Sequence, residues 1–320
     1  MSYDIIGDVH GEADALEALL KMMGYRLKLG AWQHPDRRAI FVGDFIDRGP
    51  GQLRTLELVR NMMLDGHALA VMGNHEFNAI GYFSKHPSGS DSHLRPRSSK
   101  NYHQHKAFLL EVAEDSKVHE EWVSWFYDLP LWLDLGDLRI VHACWDVKTI
   151  ADTSEILGGN KLSRDVIAGA FQKGGRNTFG IDGSRPSGGG QLFHNIEVLL
   201  KGIEVDLPEG ASFGDKDGIS RSSTRTRWWR DPPATFRDGS FLPQDVQGLK
   251  LDTPMPASVT PGHDGGSPVF IGHYWMNDCP SIQAPRVACV DYSVAKGGPL
   301  VAYRWDGEAN LSDSKFIAAH

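Results

Sequence analysis

Gly43-Asp44-Phe45-Ile46-Asp47-Arg48-Gly49 follows directly on the apolar run 39–42, and that junction decides the fold. A short apolar run closed by a turn glycine reads as a buried strand, with the acidic block just past its end. The same junction recurs along the chain. Residues 3–6 lead into Gly7-Asp8-Val9-His10-Gly11, 68–72 into Gly73-Asn74-His75-Glu76, 138–141 into His142, and 269–271 into Gly272-His273. Between the first three junctions, residues 12–23 and 52–64 carry Leu, Met and Val at helical spacing. The first 83 residues therefore predict strand, helix, strand, helix, strand, helix, an α/β pattern that favours a parallel sheet with crossover helices. All the polar blocks then lie along one edge of sheet structure.

Beyond that point, residues 84–100 are polar and rich in Ser, His and Arg, a surface excursion, and 102–127 return to helical spacing in two pieces. Residues 131–135 and 138–142 read as a hairpin about Gly136-Asp137, a pair suited to a tight primed turn. Gly, Ser, Asp and Pro dominate much of the middle of the chain, so loop-rich insertions are expected at about 84–100, 172–190 and 207–268, the central ones at the rim of the site. Strand character resumes at 269–273, 286–291 and 299–305, read as strands of a second sheet. No internal repeat is present, and one domain over residues 1–320 is expected.

Bulk composition narrows the function classes. At 41% hydrophobic, 320 residues suffice for a large core, and a formal charge of −8 argues against general binding to nucleic acid or anionic membranes. No apolar run reaches the roughly 20 residues of a spanning helix, and the N-terminus has no basic or apolar leader, so a cytoplasmic protein is expected. Cys144, Cys279 and Cys289 are odd in number and form no CxxC pair, which fits reduced thiols.

Carboxylate, amide and imidazole groups at strand ends are the ingredients of a two-metal phosphoesterase site. Two divalent ions about 3.5–4 Å apart acidify a bridging water, clamp phosphoryl oxygens and neutralise charge. Asp8 and His10 can converge on one ion, Asp44 can bridge, and Asn74, His142 and His273 can complete the second. Such mixed oxygen and nitrogen ligands suit Mn, Fe, Zn or Co, with manganese or iron favoured. Arg48 offers a planar fork for two phosphoryl oxygens. His75 is placed to protonate a leaving oxygen, and Asp47 to hold its other ring nitrogen, which makes them the candidate general acid pair.

These blocks, GDxHG, GDxxDRG, GNHE, a lone His and a Gly-His pair, resemble the calcineurin-like metallophosphoesterases. More narrowly they resemble the branch of protein Ser/Thr phosphatases and bacterial symmetrical diadenosine tetraphosphatases. The resemblance covers residues 1–83, the strand at His142 and 269–305. It implies a β-sandwich of two mixed sheets flanked by helices, two metals, the ligand roles above, and attack by a metal-bridging hydroxide without a covalent phosphoenzyme. Trp275 stands where many broader relatives carry a second ligand histidine, which favours the phosphatase and tetraphosphatase branch. Similar enzymes often hold phosphate with a further central arginine, for which Arg225 and Arg227 are the candidates.

Two stretches admit more than one reading. Arg221, Arg225, Arg227 and Arg230 alternate with Trp228 and Trp229, either to grip a phosphate and stack a base or as surface arginines over core tryptophans. His86, His93, His103 and His105 match no metal template and read as a solvated loop. The expected function is metal-dependent hydrolysis of a phosphate ester or anhydride, on a nucleotide-type substrate such as a dinucleoside polyphosphate. A protein Ser/Thr or Tyr phosphatase acting on a phosphoprotein is the alternative, and a non-catalytic binding protein is the third reading.

Overall fold

In the computed structural model the described residues are 2–87, 92–174, 178–214, 220–231, 234–242, 246 and 250–319. Parts of the expected insertions, at 88–91, 175–177, 215–219, 232–233, 243–245 and 247–249, lie outside them.

Two sheets carry the fold. The first runs Phe316–Ala319, Leu300–Trp305, Ser2–Ile6, Arg37–Phe41, Ala68–Ala70. Its last three strands are parallel, and Leu300–Trp305 joins antiparallel in a register that pairs Ile5 with Tyr303. The second runs Val287–Cys289, Val269–Ile271, Arg139–Val141, Trp132–Asp134, three parallel strands and one antiparallel neighbour. Alternation along the strands sorts the side chains into two layers. Ile5, Ile40 and Tyr303 of one sheet meet Ile140, Phe270 and Ala288 of the other in a closed apolar layer, with the Phe270 and Tyr303 rings 5.0 Å apart. The intervening residues Ile6 and Phe41, and on the second sheet Val141 and Ile271, face outward into a larger core with the helices. This is the expected sandwich of two mixed sheets flanked by helices.

Helix Ala13–Met22 buries Ala13, Leu16, Leu19 and Leu20, and helix Gln52–Leu64 buries Gln52, Thr55, Leu56, Val59 and Met62, each at the three- and four-residue spacing of one face of an amphipathic helix. Helix Asn74–Phe83 begins inside its motif. Helices Ser99–Val112 and Lys117–Phe126 start on serine caps, Ser98 and Ser116, each accepting a backbone N–H from three residues on. None of the described helices is long and apolar enough to cross a membrane.

Three expectations change. Leu300–Trp305 belongs to the first sheet, not the second, because antiparallel pairing with Ser2–Ile6 puts Tyr303 and Trp305 inside the sandwich. The central segment is more than rim. Trp228, Trp229, Phe236, Leu251 and Val259 are all buried in the main core, and strand Ser223–Arg225 pairs with Glu204–Asp206. His103 and His105 sit on helix Ser99–Val112, and His105 is buried. The hairpin Arg26–Lys28/Ala31–Gln33, helices Val147–Leu157 and Gln191–Lys201, and strand Phe316–Ala319 add to the elements read from sequence.

Candidate metal centre and general acid

The strand ends converge on Asp44. Around its Oδ2 stand His142 Nε2 at 3.4 Å, His10 Nε2 at 3.7 Å and His75 Nε2 at 3.9 Å. Burial alone raises a carboxyl pKa, yet His142, His75 and His10 hold Asp44 well below its ordinary value. Asn74 Oδ1 lies 3.3 Å from His142 Nε2. Two groups of donors form, His10, Asp44 and His75, and Asp44, His142 and His273, with Asp44 common to both. A shared carboxylate between two clusters is what a bridging ligand requires.

Ring orientation separates the imidazoles by task. His10 Nδ1–H donates to Ile46 O at 2.9 Å and His142 Nδ1–H to Val42 O at 2.7 Å, which leaves both Nε2 lone pairs facing inward, the ligand tautomer. Burial and the neighbouring His75 lower the His10 pKa to about 4, so this ring is neutral at pH 7. His75 differs: its Nδ1–H donates to the carboxylate of Asp47. Burial opposes charge on His75, but Asp44 and Asp47 outweigh it and raise the pKa. His75 is therefore built to carry a proton on Nε2, although distance alone groups it with His10.

Asp47 is clamped from three sides. Its backbone N–H donates to Gln52 Oε1 at 2.6 Å, and its Oδ1 accepts from His105 Nδ1 at 2.7 Å. Against the effect of burial, His105 and His75 hold its pKa below the ordinary range. Sequence reasoning misses His105, whose only signal is its neighbourhood in a His-rich stretch.

Asp8 turns toward the Gly272-His273 corner, where its Oδ2 accepts the His273 N–H at 3.1 Å. Its Oδ1 is buried with no hydrogen-bond partner, as is His273 Nε2. Burial, Asp291 and Asp44 push the Asp8 pKa well up, whereas burial, Arg225 and His142 push that of His273 well down. Buried carboxylates repelling one another, beside the imidazoles of His10 and His273 kept neutral, form a donor set that divalent cations fit, whereas Asp44 raises the pKa of His142 against its burial. Asp291, a second residue the sequence leaves without a role, accepts the N–H groups of Trp275 at 2.9 Å and Ser293 at 3.0 Å and so fixes the turn after His273.

Glycine and glutamate in the blocks have packing reasons. A Cβ on Gly73 would come within 2.2 Å of Asp44 Oδ1, and one on Gly272 within 2.1 Å of Asp8 Oδ1. Glu76 accepts N–H groups from Gly73 at 2.9 Å, Asp44 at 2.9 Å and Phe45 at 2.8 Å, lashing two loops together, while burial and Asp44 raise its pKa to about 7. Six site residues hold positive φ: His10 49°, Asp44 54°, Asp47 71°, Arg48 77°, His273 67° and Trp275 45°.

A cleft of about 710 Å³ opens over the centre, lined in part by Asp44, Asp47, Arg48, Asn74, His75 and His273. Arg48 is exposed there. Arg225 lies over the rings of Tyr274 and Trp275, 5.6 Å from each, beside His273. Arg227 instead covers Phe241 at 5.0 Å, and none of its described contacts reaches a cleft residue. Trp228 and Trp229 are core, and Trp228 Nε1–H donates to Ala143 O at 2.9 Å, under the strand end that presents His142.

A family model described as calcineurin-like phosphoesterase matches residues 1–168. A bis(5'-nucleosyl)-tetraphosphatase PrpE [asymmetrical] of Oceanobacillus iheyensis is 31% identical over 144 residues, 45% of this chain and 55% of that protein. The protein of the same name from Bacillus subtilis strain 168 is 31% identical over 148 residues, 45% and 57% of the two chains. The chain thus spans about half the length of the curated relatives it matches. Their names carry the word asymmetrical, where the motif resemblance points to symmetrical enzymes. Among solved structures, a cold-active protein-tyrosine phosphatase of a psychrophilic Shewanella species is similar at TM-score 0.46 and 15% identity, over 100% of this chain and 80% of that one.

Proposed function

The chain belongs to the calcineurin-like phosphoesterase family, and from that premise we propose that it hydrolyses a phosphoanhydride of a dinucleoside polyphosphate. The observation that carries the reading is the contrast around Asp44: His10 and His142 point their Nδ1–H at backbone carbonyls, His75 at a carboxylate. Ligands and proton donor are thereby distinguished within one ring of imidazoles.

Asp8, His10, Asp44, Asn74, His142 and His273 would hold two divalent ions, with manganese or iron the favoured pair. When bound, such ions supply an activated water and neutralise phosphoryl charge. Arg48 offers its guanidinium fork to the phosphoryl oxygens at the mouth of the cleft. Arg225, beside His273, is the second cation for the substrate; Arg227, turned toward Phe241, drops out of that role. As water adds to phosphorus and the bridging P–O bond breaks, His75 delivers the proton on Nε2 to the departing oxygen. Asp47, held by Gln52 and His105, keeps the ring charged and aimed.

The names of the relatives support a tetraphosphate substrate and off-centre cleavage. Three unpaired thiols fit a reducing, cytoplasmic setting. The test is a panel with added manganese: diadenosine tetraphosphate, phosphoserine and phosphotyrosine peptides, and 5′-phosphorylated RNA. Turnover of the tetraphosphate to a triphosphate and a monophosphate is expected, and two diphosphates would mean central cleavage. Preference for a phosphopeptide by more than tenfold in kcat/KM would replace the substrate reading with the protein-phosphatase one.

A further inference from the structure

The wall of the cleft on the His75 side contains a cation that the roles above leave unused. Arg95 lines the cleft where the chain leaves helix Asn74–Phe83, with its backbone N–H donated to Gly81 O at 2.9 Å. Its guanidinium is part-buried and donates to two neutral oxygens, Asn101 Oδ1 at 3.1 Å and Gln104 Oε1 at 2.8 Å, both on helix Ser99–Val112. Among the described residues no carboxylate comes within ion-pairing distance of it, unlike Arg97 two residues on, which is paired with Asp115 and Glu114. Holding a desolvated guanidinium with neutral acceptors alone is costly unless an anion completes the site. The amide oxygens orient the group without an ion pair, and Asp47 and Glu197 act on it only from beyond pairing distance.

Its position says which anion. Gln104 precedes His105, the residue that grips Asp47, and Asp47 is the carboxylate whose field reaches Arg95 most strongly. Arg95 therefore lines the cleft beside the helix turn that holds the Asp47–His75 pair, the proton donor for the departing oxygen. An alcohol or phenol leaving from a phosphoprotein carries no charge beyond that oxygen. A leaving group that is itself a chain of phosphates carries several.

We propose that Arg95 is the binding site for the phosphates of the leaving group, selecting anhydrides with at least one further phosphate beyond the scissile bond. The inference rests on the phosphoanhydride reading and assigns the direction in which the substrate lies: scissile phosphoryl under Arg48, departing phosphates along Arg95. Asn101 and Gln104 act through it by fixing the plane of the fork.

The experiment compares Arg95→Gln and Arg95→Lys with the unaltered protein, all reconstituted with manganese. Two ratios are read. The first is kcat/KM on diadenosine tetraphosphate relative to 4-nitrophenyl phosphate, expected to fall about 10- to 100-fold in Arg95→Gln, the worth of charge-assisted hydrogen bonds, with partial recovery in Arg95→Lys. The second, by calorimetry, is affinity for inorganic tripolyphosphate relative to orthophosphate, expected to fall by a similar factor independently of turnover. A loss shared equally by both substrates and both anions would show Arg95 to be a structural strut and overturn the proposal. Unchanged ratios would overturn it as well. If the unaltered protein fails to cleave the tetraphosphate yet the calorimetric ratio falls in Arg95→Gln, the substrate reading fails while the polyphosphate site stands. Loss of the tripolyphosphate effect with tetraphosphate cleavage intact is the reverse case, and it removes the site alone.

Discussion

Replacing His105 by Phe removes one hydrogen bond and almost nothing else. The ring already packs edge-on or tilted against Tyr82 at 5.5 Å and Phe108 at 5.0 Å, contacts a phenyl group retains. What disappears is the 2.7 Å bond from Nδ1 to Asp47, a buried bond to a charged acceptor. Bonds of that kind contribute about 1.5–3 kcal/mol. If that ordering of Asp47 is fully used to aim His75, the rate of a reaction dependent on proton donation falls by about 10- to 150-fold, at roughly 1.4 kcal/mol per decade. The assay is kcat/KM across aryl phosphates whose leaving phenols span a range of pKa. Loss should be greatest for phenyl phosphate and several-fold at most for 4-nitrophenyl phosphate, whose anion needs little protonation, so the dependence on leaving-group pKa steepens. His105→Asn, which can present an amide N–H to the same carboxylate, should recover much of the difference. Equal losses across the series, or a flat series with no loss, would refute the positioning role.

His75→Asn should lower turnover of phenyl phosphate by about 10²–10⁴, and that of 4-nitrophenyl phosphate far less, while calorimetry still detects manganese binding, whereas Asp44→Asn should abolish both turnover and binding. Chelated protein should lose thermal stability as pH rises from about 6.5 to 8. Glu76 has a folded pKa of about 7 against 4.5 unfolded, and Asp8 is also raised, so in that window the folded state holds more protons and the advantage is lost as pH climbs; below it His10 and His273, kept neutral in the fold, act in the opposite direction. Saturating manganese should flatten the slope and raise Tm at pH 8, and an unchanged slope would count against two cations among these carboxylates. Asp4→Ala takes a buried carboxylate from the guanidinium groups of Arg37 and Arg304, now 2.8 and 3.1 Å from Asp4 Oδ1, but leaves Arg37 paired with Asp306, and should cost about 1.5–3 kcal/mol in urea unfolding. A loss below about 1 kcal/mol would show that solvent replaces the pair.

Much of the centre is legible because its chemistry resides in residue type and in position after a strand. Asp44, His10 and His142 are where the junctions put them. His75 and Asp47 meet as the motif order implies. Legibility fails where a role depends on a partner far away in sequence. His105 and Asp47 are separated by 58 positions, and nothing local marks the helix turn that joins them. His103 and His105 alternate as strand residues would, yet on a helix that borders the cleft one is exposed and the other is buried. Asp291 acts by accepting backbone N–H groups, a task that any loop aspartate could have. In the central segment, prolines and glycines erase periodicity, so Trp228 and Phe236 give no sign that they complete the core. Leu300–Trp305 reads as a strand, but sheet membership is set by pairing, which a single sequence does not display.

Left-handed backbone at six non-glycine positions around Asp44 has a consequence for transplantation. Each such residue sits roughly 1–2 kcal/mol above its preferred conformation, so the loops are cocked by the sandwich and relax once cut from it. Peptides copied from these motifs should neither gather cations nor orient a proton donor. A miniature catalyst drawn from this chain has to begin with the two sheets, because they are the vice and the motifs are only the workpiece.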